Sequence, residues 1–320
     1  MKWQELKLDQ TKIKDQIQRL EEKKVKLDRF RPIPAFILKS LRDSLCLDWT
    51  YHSNGIEGNT LSLRETRMII EDGLTVGGKS LREHFEALNH NEAIQYIESL
   101  LSSDFKMKSI DILETHALVL KNIEQPLSGR YRTAGVRISG ANFIPPNASK
   151  ISTFINELVD WVNENDNQIP DIVRAAVFHH RFVWIHPFFD GNGRTARLLF
   201  NLLLMSKGFP PSLILKQDRK KYYDALQRAN LGDYSKIILL TSQAAERGLD
   251  IYLSQLQDNQ DDFKDISLIV MEPGVPYGQE YLSLLARRGK IAAFKDGKNW
   301  LMTQAAVMDY MSSRKRRRNV

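Results

Sequence analysis

Twelve consecutive residues, His186-Pro187-Phe188-Phe189-Asp190-Gly191-Asn192-Gly193-Arg194-Thr195-Ala196-Arg197, concentrate groups that can handle a phosphate. Two glycines around Asn192 let successive backbone N–H groups turn inward as an anion nest. A helix starting there aims its unpaired donors and positive dipole end at the same point. Arg194 and Arg197 are three apart, so their guanidinium forks leave one face of that helix and can grip phosphate oxygens. Asp190 is a hard oxygen ligand at the mouth of the loop, suited to a Mg2+ ion bridging phosphates. His186 can exchange a proton near neutral pH. Taken singly, each part is ordinary: a histidine before proline is more often structural, and Gly-Asn-Gly more often only a turn. Their convergence in one loop points to a nucleotide-phosphate site.

The elements that must hold this loop read as helices. Gln10 to Phe30 is a surface helix with an apolar stripe at Ile13, Ile17, Leu20 and Val25, broken by Pro32 and Pro34. Leu38, Leu41, Leu45 and Trp49 predict a second helix from Ala35 to about His52, which leads into a polar, glycine-containing turn over Ser53 to Thr60. Leu61 to Asp72 and most of 80–125 read as further helices. Gly135 to Pro146 alternates, turns at Ser139-Gly140-Ala141-Asn142 and resumes, which predicts a small β-hairpin. Ile151, Phe154, Ile155, Leu158 and Val162 form one helical face, and Asp171 to Trp184 reads as a buried helix, as does Leu198 to Met205. The fold class is mainly α, with one hairpin as its exception.

The chain has 320 residues, 42% hydrophobic and 27% charged, the composition of a soluble globular protein with a soft expectation of two domains. Its formal charge of +7 is unevenly placed: residues 281–320 carry a net +8, and the rest sum to −1. That asymmetry points to a separate terminal module whose partner is a polyanion. The single Cys46 excludes an internal disulfide framework and any zinc site built on two cysteines, and a reducing cytoplasm is the compartment expected. No segment approaches the ~20 apolar residues of a membrane span, and the amino terminus lacks a secretory signal's apolar core, so no membrane partner is expected.

His-Pro-Phe-x-Asp-Gly-Asn-Gly-Arg-x-x-Arg is the Fic signature, and all nine fixed positions are present. His179 to Ile185 resembles the helix that precedes the Fic loop. Lys216 to Tyr223 and Asn230 to Asp233 are similar to the segment that closes over the adenine, so the resemblance covers about residues 40 to 255. It implies a Fic-type helical bundle with a β-hairpin flap, and an enzyme that moves AMP from ATP to a Ser, Thr or Tyr hydroxyl of a target protein, and to itself, releasing pyrophosphate. By position, His186 would be the general base and Asp190 would hold Mg2+. The backbone of Gly191, Asn192 and Gly193 would neutralise phosphate charge, Arg194 would meet the β-phosphate and Arg197 the γ-phosphate, with Thr195 and Ala196 in the same ATP-binding turn. Tyr222, Tyr223 and Asn230 would contact adenine and ribose. Val136, Ile138, Ser139, Gly140 and Phe143 would form the flap that pairs with the target backbone by strand addition; the other reading is an ordinary surface hairpin.

Ser53-Asn54-Gly55-Ile56-Glu57-Gly58 matches the family's inhibitory motif, Ser/Thr-x-x-x-Glu-Gly/Asn, in the arrangement where inhibition is built into an N-terminal helix of the same chain. The resemblance implies a bidentate pair between Glu57 and Arg197 that occupies the place of the γ-phosphate. The competing reading makes Glu57 a helix-start carboxylate favoured by the dipole. In some similar proteins this glutamate instead positions a water that removes AMP from a modified target. Gly193, rather than Lys, goes with AMP transfer; transfer of phosphocholine, UMP or phosphate is the runner-up within the family.

An acidic polar stretch around residue 260, Asp258 to Asp262 with Asp265 close behind, reads as a linker. Tyr281 to Leu301 resembles the second half of small helix-turn-helix domains of excisionase-like and MerR-type regulators. The helix ending near Arg288 would be a recognition helix, and Phe294 to Leu301 a two-stranded wing turning at Asp296-Gly297. Met271-Glu272-Pro273-Gly274 departs from the usual first helix. DNA is the partner expected of residues 281–320, with a protein partner as the alternative, which makes a nucleotide-sensing DNA-binding regulator the rival function. The division expected is 1–75, N-terminal helices with the inhibitory motif; 76–257, catalytic core; 258–320, basic module. The sequence leaves the oligomeric state open, a homodimer included, and association could clamp or release the Glu57 helix.

Overall fold

The computed structural model describes residues 10–311, apart from 32, 34, 103, 139–142, 165–168, 259–263, 289, 292, 297–298 and 309. In chain order the described elements are α1 (Gln10–Asp28), α2 (Ala35–Ile56), α3 (Leu63–Glu71), α4 (Leu81–Ser99), α5 (Ser109–Val119), α6 (Ile151–Asn163), α7 (Asp171–Ile185), α8 (Asn192–Met205), α9 (Arg219–Asn230), α10 (Ser235–Asp258), β1 (Lys264–Asp265), α11 (Ile266–Ile269), α12 (Gln279–Arg287), β2 (Ala293–Asp296) and β3 (Asn299–Met302). The mainly helical class expected from the sequence holds. The chain divides into two compact units: residues up to Glu22 with Leu45–Gly248, and Lys23–Ser44 with residues from Leu249 onward. No helix among the described residues is long and apolar enough to cross a membrane.

Helix ends in the first unit follow local chemistry. Ser62-Leu63-Arg64-Glu65 and Ser80-Leu81-Arg82-Glu83 are the same tetrapeptide, and each closes a capping box. The serine hydroxyl accepts from the glutamate N–H, and the glutamate carboxylate accepts from the serine N–H. α2 runs one turn further than its sequence suggests, so Ser53 to Ile56 are helical rather than a turn. Asn54 Nδ2 donates to the Glu86 carbonyl at 3.1 Å and keeps that turn in the core. The stop is Gly58, whose φ of 105° lies in the left-handed region. Its N–H reaches the Gly55 carbonyl at 3.2 Å, and the Asn59 N–H reaches the Asn54 carbonyl at 3.1 Å, the paired bonds of a Schellman ending. On α1 the buried stripe is Ile13, Leu20 and Leu27, with Val25 turned out at 53% exposure.

α7 and α8 pack against each other and are buried along most of their length, as helices apolar on nearly every side must be. Phe178, Phe182, Phe188 and Phe200 fill the space between them and their neighbours, and α4, α5 and α6 cover the pair. The hairpin expected over 136–146 is not a ladder among its described residues, and Ser139 to Asn142 lie outside them. Pro145 and Pro146 lack the N–H groups a ladder needs, and the Pro146 carbonyl is taken by Arg132 Nη2 at 2.6 Å.

In the second unit, β1, β3 and β2 form an antiparallel sheet in that order, with Phe294 opposite Leu301 and Asp296 opposite Asn299. The wing forms, but Asp296 is itself paired with Asn299, so the turn falls at 297–298, outside the described residues and one position later than the Asp296-Gly297 turn expected. Lys264 and Asp265 are not linker. They add a third strand, and Asp265 caps α11 by accepting from the Ser267 N–H at 2.8 Å. α11 lasts one turn and ends before Pro273. Ile266, Ile269, Leu282, Leu285, Met302 and Val307 make this unit's own core.

Four histidines of the first unit are almost wholly buried: His90, His116, His179 and His180. Burial disfavours the imidazolium, so His90 is held well below its ordinary value, His116 and His180 at about 4 and His179 at about 3. These folded-state values lie below the unfolded value of 6.5, so the unfolded chain binds more protons between roughly pH 4 and 6.5. Stability is full above that window and falls as pH drops through it. Urea unfolding followed by far-UV circular dichroism is expected to give at least ~3 kcal/mol less stability at pH 4.5 than at pH 7. A flat profile would show that these rings are solvated in the folded state.

Candidate active site

The loop begins with a strained residue. α7 stops at Ile185, and His186 takes φ 49° and ψ 61°, a left-handed conformation that costs a non-glycine residue ~1–2 kcal/mol. Arg132, 2% exposed, holds it there. Its Nε donates to the His186 carbonyl at 2.7 Å, Nη1 to Ala134 at 2.8 Å and Nη2 to Pro146 at 2.6 Å, while its own N–H reaches the Pro187 carbonyl at 2.9 Å. One buried guanidinium thus ties the His186 corner to both stems of the 135–146 segment. Burial lowers the His186 pKa to about 4, so the ring is neutral and keeps a lone pair with which to take a proton.

The rest of the loop is braced from below. Asn192 donates from Nδ2 to the Phe188 carbonyl at 2.8 Å and accepts from its N–H through Oδ1 at 3.0 Å. Its side chain closes the loop, and its backbone N–H is left for a ligand. His116 accepts from the Gly129 N–H through Nδ1 at 3.1 Å, so in the neutral ring Nε2–H donates to the Asp190 carbonyl at 2.9 Å. The same ring stacks on Phe188 at 3.5 Å. Gly191 turns the chain with φ 75°, and α8 starts at Asn192 with the N–H groups of its first turn aimed out of the helix end.

A carboxylate already occupies that end. Glu57 Oε1 lies 2.8 Å from Arg197 Nη1 and fills the position that a Cβ on Gly193 would take. Arg197 is 3% exposed; its Nε donates to Ser53 Oγ at 3.0 Å and its Nη2 to the Ser53 carbonyl at 2.8 Å. The pair is therefore a single contact rather than a fork on a fork, because Ser53 takes the other donors. Glu57 follows the last residue of α2, where the helix dipole is unfavourable to a negative charge, so the helix-start reading fails. Basic residues offset that end: Arg219 Nε donates to the Ile56 carbonyl at 2.6 Å and Lys216 Nζ to the Asn59 carbonyl at 3.3 Å.

Arg194 sits in a second charged cluster. Its Nη1 is 3.2 Å from Glu86 Oε1 and its Nη2 3.5 Å from Asp190 Oδ1, with the guanidinium 3% exposed. Arg82 pairs with Asp190 Oδ2 and lies 3.3 Å from Glu86 Oε1, and Asn59 Nδ2 donates to Glu86 Oε2 at 2.9 Å. Burial raises the Asp190 pKa, but Arg194, the Gly191 N–H and Arg82 outweigh it and hold the carboxylate ionised. Thr195 and Ala196 are fully buried in the packed face of α8, so their side chains offer a ligand nothing.

The two tyrosines expected at the base differ. Tyr222 is 1% exposed, its hydroxyl is 2.8 Å from His179 Nε2 and its ring lies under the Arg197 guanidinium at 5.8 Å. Tyr223, 37% exposed, is the ring with a free face, and Arg219 lies over it at 5.4 Å. Asn230 closes α9. Val136, Ile138 and Phe143 are half-buried, while Ser139 and Gly140 lie outside the described residues.

The Fic/DOC family model matches residues 106–204, which include the whole loop. A solved structure of Fic-1 residues 134–508 from Caenorhabditis elegans superposes with a TM-score of 0.70 at 33% identity, over 78% of this chain and 74% of that one. The chain belongs to the Fic/DOC family. A Fic-domain signalling protein from Bacteroides thetaiotaomicron matches with a TM-score of 0.68 at 27% identity, over 76% of this chain and 97% of that one. Among curated relatives, the protein adenylyltransferase Fic of Culex quinquefasciatus is 40% identical over 239 residues, 74% of this chain and 47% of that protein. This Fic chain spans about half the length of the curated relatives it matches.

Four side chains at this Fic site escaped the sequence reading: Arg82, Glu86, His116 and Arg132. Each acts from far along the chain, and no local spacing marks it; the Ser80–Glu83 capping signal placed α4 but not what its next turn would meet. Arg132 tests the bracing most directly. Arg132→Met removes the donors that four carbonyls use, those of Ala134, Pro146, Ile185 and His186. We expect a loss of ~3 kcal/mol in urea unfolding. A loss below ~1 kcal/mol would show that water replaces the guanidinium.

Proposed function

We propose that this chain is a protein adenylyltransferase that moves AMP from ATP to a hydroxyl of a target protein and to itself, restrained by Glu57. The observation that carries this reading is the carboxylate seated at the anion-binding end of α8, in contact with Arg197 and beside a neutral, braced His186. Names of relatives at about 40% identity point the same way.

On this reading the His186 imidazole takes the proton of the target hydroxyl as its oxygen attacks the α-phosphorus. The new P–O bond forms while the bond to the bridging oxygen of the β-phosphate breaks, and pyrophosphate leaves. The first-turn N–H groups of α8 and the two arginines hold the phosphate oxygens. Mg2+ fits the donor set: Asp190 offers one ionised carboxylate at the loop mouth, and among the described residues no group of three or more His, Cys, Asp or Glu could hold a metal alone. Mg2+ is bound in that manner when phosphates supply its other ligands, and it would spread the charge of the leaving phosphates. The buried lone Cys46 suits a reducing cytoplasm.

Two variants test the reading with labelled ATP. Glu57→Gly is expected to raise AMP transfer and self-modification several-fold or more, and His186→Ala in the same background to abolish both. No rise in Glu57→Gly removes the inhibitory role; transfer that survives His186→Ala removes the base. If purified AMP-modified target loses its AMP with the native chain but not with Glu57→Gly, removal is the dominant direction.

A second activity is favoured by the helix-turn-helix-wing order of α11, α12, β2 and β3 together with the exposed Arg287 and Arg288. We infer DNA binding by this unit. Its affinity in a gel shift is expected to fall at least tenfold between 50 and 200 mM salt, roughly the loss of a few phosphate contacts. Salt-independent binding, or none, assigns the unit to a protein partner.

A further inference from the structure

α7 delivers His186 at its end, and one turn and a half earlier it buries two adjacent histidines. Neighbours on a helix face directions about 100° apart, so the two rings reach different partners. Both partners lie on or next to α9. His179 meets Tyr222 near its start, and His180 meets Asn230, its last residue. A single helix thus holds both ends of the element that carries the base-contact residues.

His180 has both ring nitrogens engaged, Nε2 at 2.9 Å from Asn230 Oδ1 and Nδ1 at 3.1 Å from Tyr234 Oη. Burial keeps the ring neutral, so it carries one proton. An amide oxygen can only accept, which puts that proton on Nε2. Nδ1 must then accept from Tyr234, whose buried phenol, pushed up to about 12, stays protonated and able to donate. The relay runs in one direction: Tyr234 to His180 to Asn230. With Oδ1 turned toward His180, the amide is fixed with the two N–H donors of Nδ2 on its other side, and among the described residues no partner accepts from them.

We propose that His180 is a positioning residue for nucleotide recognition: by holding Asn230 Oδ1 it presents the Nδ2 donors to the base, selecting a ring nitrogen that accepts a hydrogen bond. This rests on the reading that α9 borders the nucleotide. An amide free to rotate could serve either a donor or an acceptor. A fixed one discriminates, because a base offering N–H at that point leaves two donors facing each other.

The test is calorimetric binding of a non-hydrolysable ATP analogue, and of its 3-deaza and 7-deaza forms, to the full Glu57→Gly chain. His180→Phe is expected to weaken the parent analogue about tenfold, the loss of one hydrogen bond of ~1.4 kcal/mol. The weakening should fall on affinity rather than on the transfer rate at saturating nucleotide. One deaza analogue should bind the His180 form about tenfold more weakly than the parent does, and that gap should vanish in His180→Phe. His180→Gln, whose amide can still donate to Oδ1, should restore most of the affinity. Asn230→Ala should match His180→Phe, and combining the two should add nothing, which also guards against a His180→Phe chain that folds poorly. Unchanged affinity in both His180→Phe and Asn230→Ala overturns the relay. No binding of any analogue by the Glu57→Gly chain overturns the nucleotide reading itself, a different result.

Discussion

A guanidinium that is 3% exposed must have an anion beside it, and among the described residues Arg197 has Glu57 as its ion-pair partner. Much of the first unit is arranged around that requirement. α8 is buried because α7 and the surrounding helices cover it, so its arginines are buried with it. Ser53 fixes the guanidinium through Nε and Nη2, and Gly58 ends α2 where Glu57 can reach Nη1. Lys216 and Arg219 hold the carbonyls around that ending. The serine, glutamate and glycine of one short motif therefore have three separable physical duties: donor acceptor, counter-charge and helix stop.

How far the site could be read from the sequence follows from how near its parts lie along the chain. His186 to Arg197 are consecutive, so their convergence is visible as a string, and Glu57 lies in a second short string. Arg132, His116 and Glu86 act across 54, 74 and 108 positions respectively, and a single sequence carries no mark of such pairings. Tyr222 shows the converse. Its neighbour Tyr223 has the same side chain and the same motif, but a step of 100° on α9 buries one ring under Arg197 and leaves the other open. Helix ends were misplaced where tertiary bonds overrode turn chemistry, as Asn54 does through the Glu86 carbonyl.

Two hairpins were expected and, among the described residues, one ladder formed, for a reason that local propensity does not contain. The wing strands gain a third partner in Lys264 and Asp265 and a core of their own through Met302. An isolated two-stranded hairpin is marginal in water, and three strands on an apolar face are not. The described residues of 135–146 have neither advantage. The stems are instead tied by backbone carbonyls to Arg132, which fixes where they leave the core and leaves their N–H groups uncommitted to each other.

The arginines of the loop and its neighbour are paired at rest: Arg82, Arg194 and Arg197 face Asp190, Glu86, Glu124 and Glu57. On the proposed reading a triphosphate brings several negative charges to arginines that already have partners, so its entry requires an exchange of anions rather than the filling of an empty positive pocket. Arg197 can make that exchange, because Glu57 is 30% exposed and stands at the end of a helix that a turn can release. Arg194 cannot do so as readily. Glu86, 11% exposed, is held also by Asn59 and Arg82, so it stays as the fixed counter-charge that keeps Arg194 in place. The two arginines differ not in chemistry but in whether their carboxylate is free to leave, and on the proposed reading that difference puts the brake at Arg197.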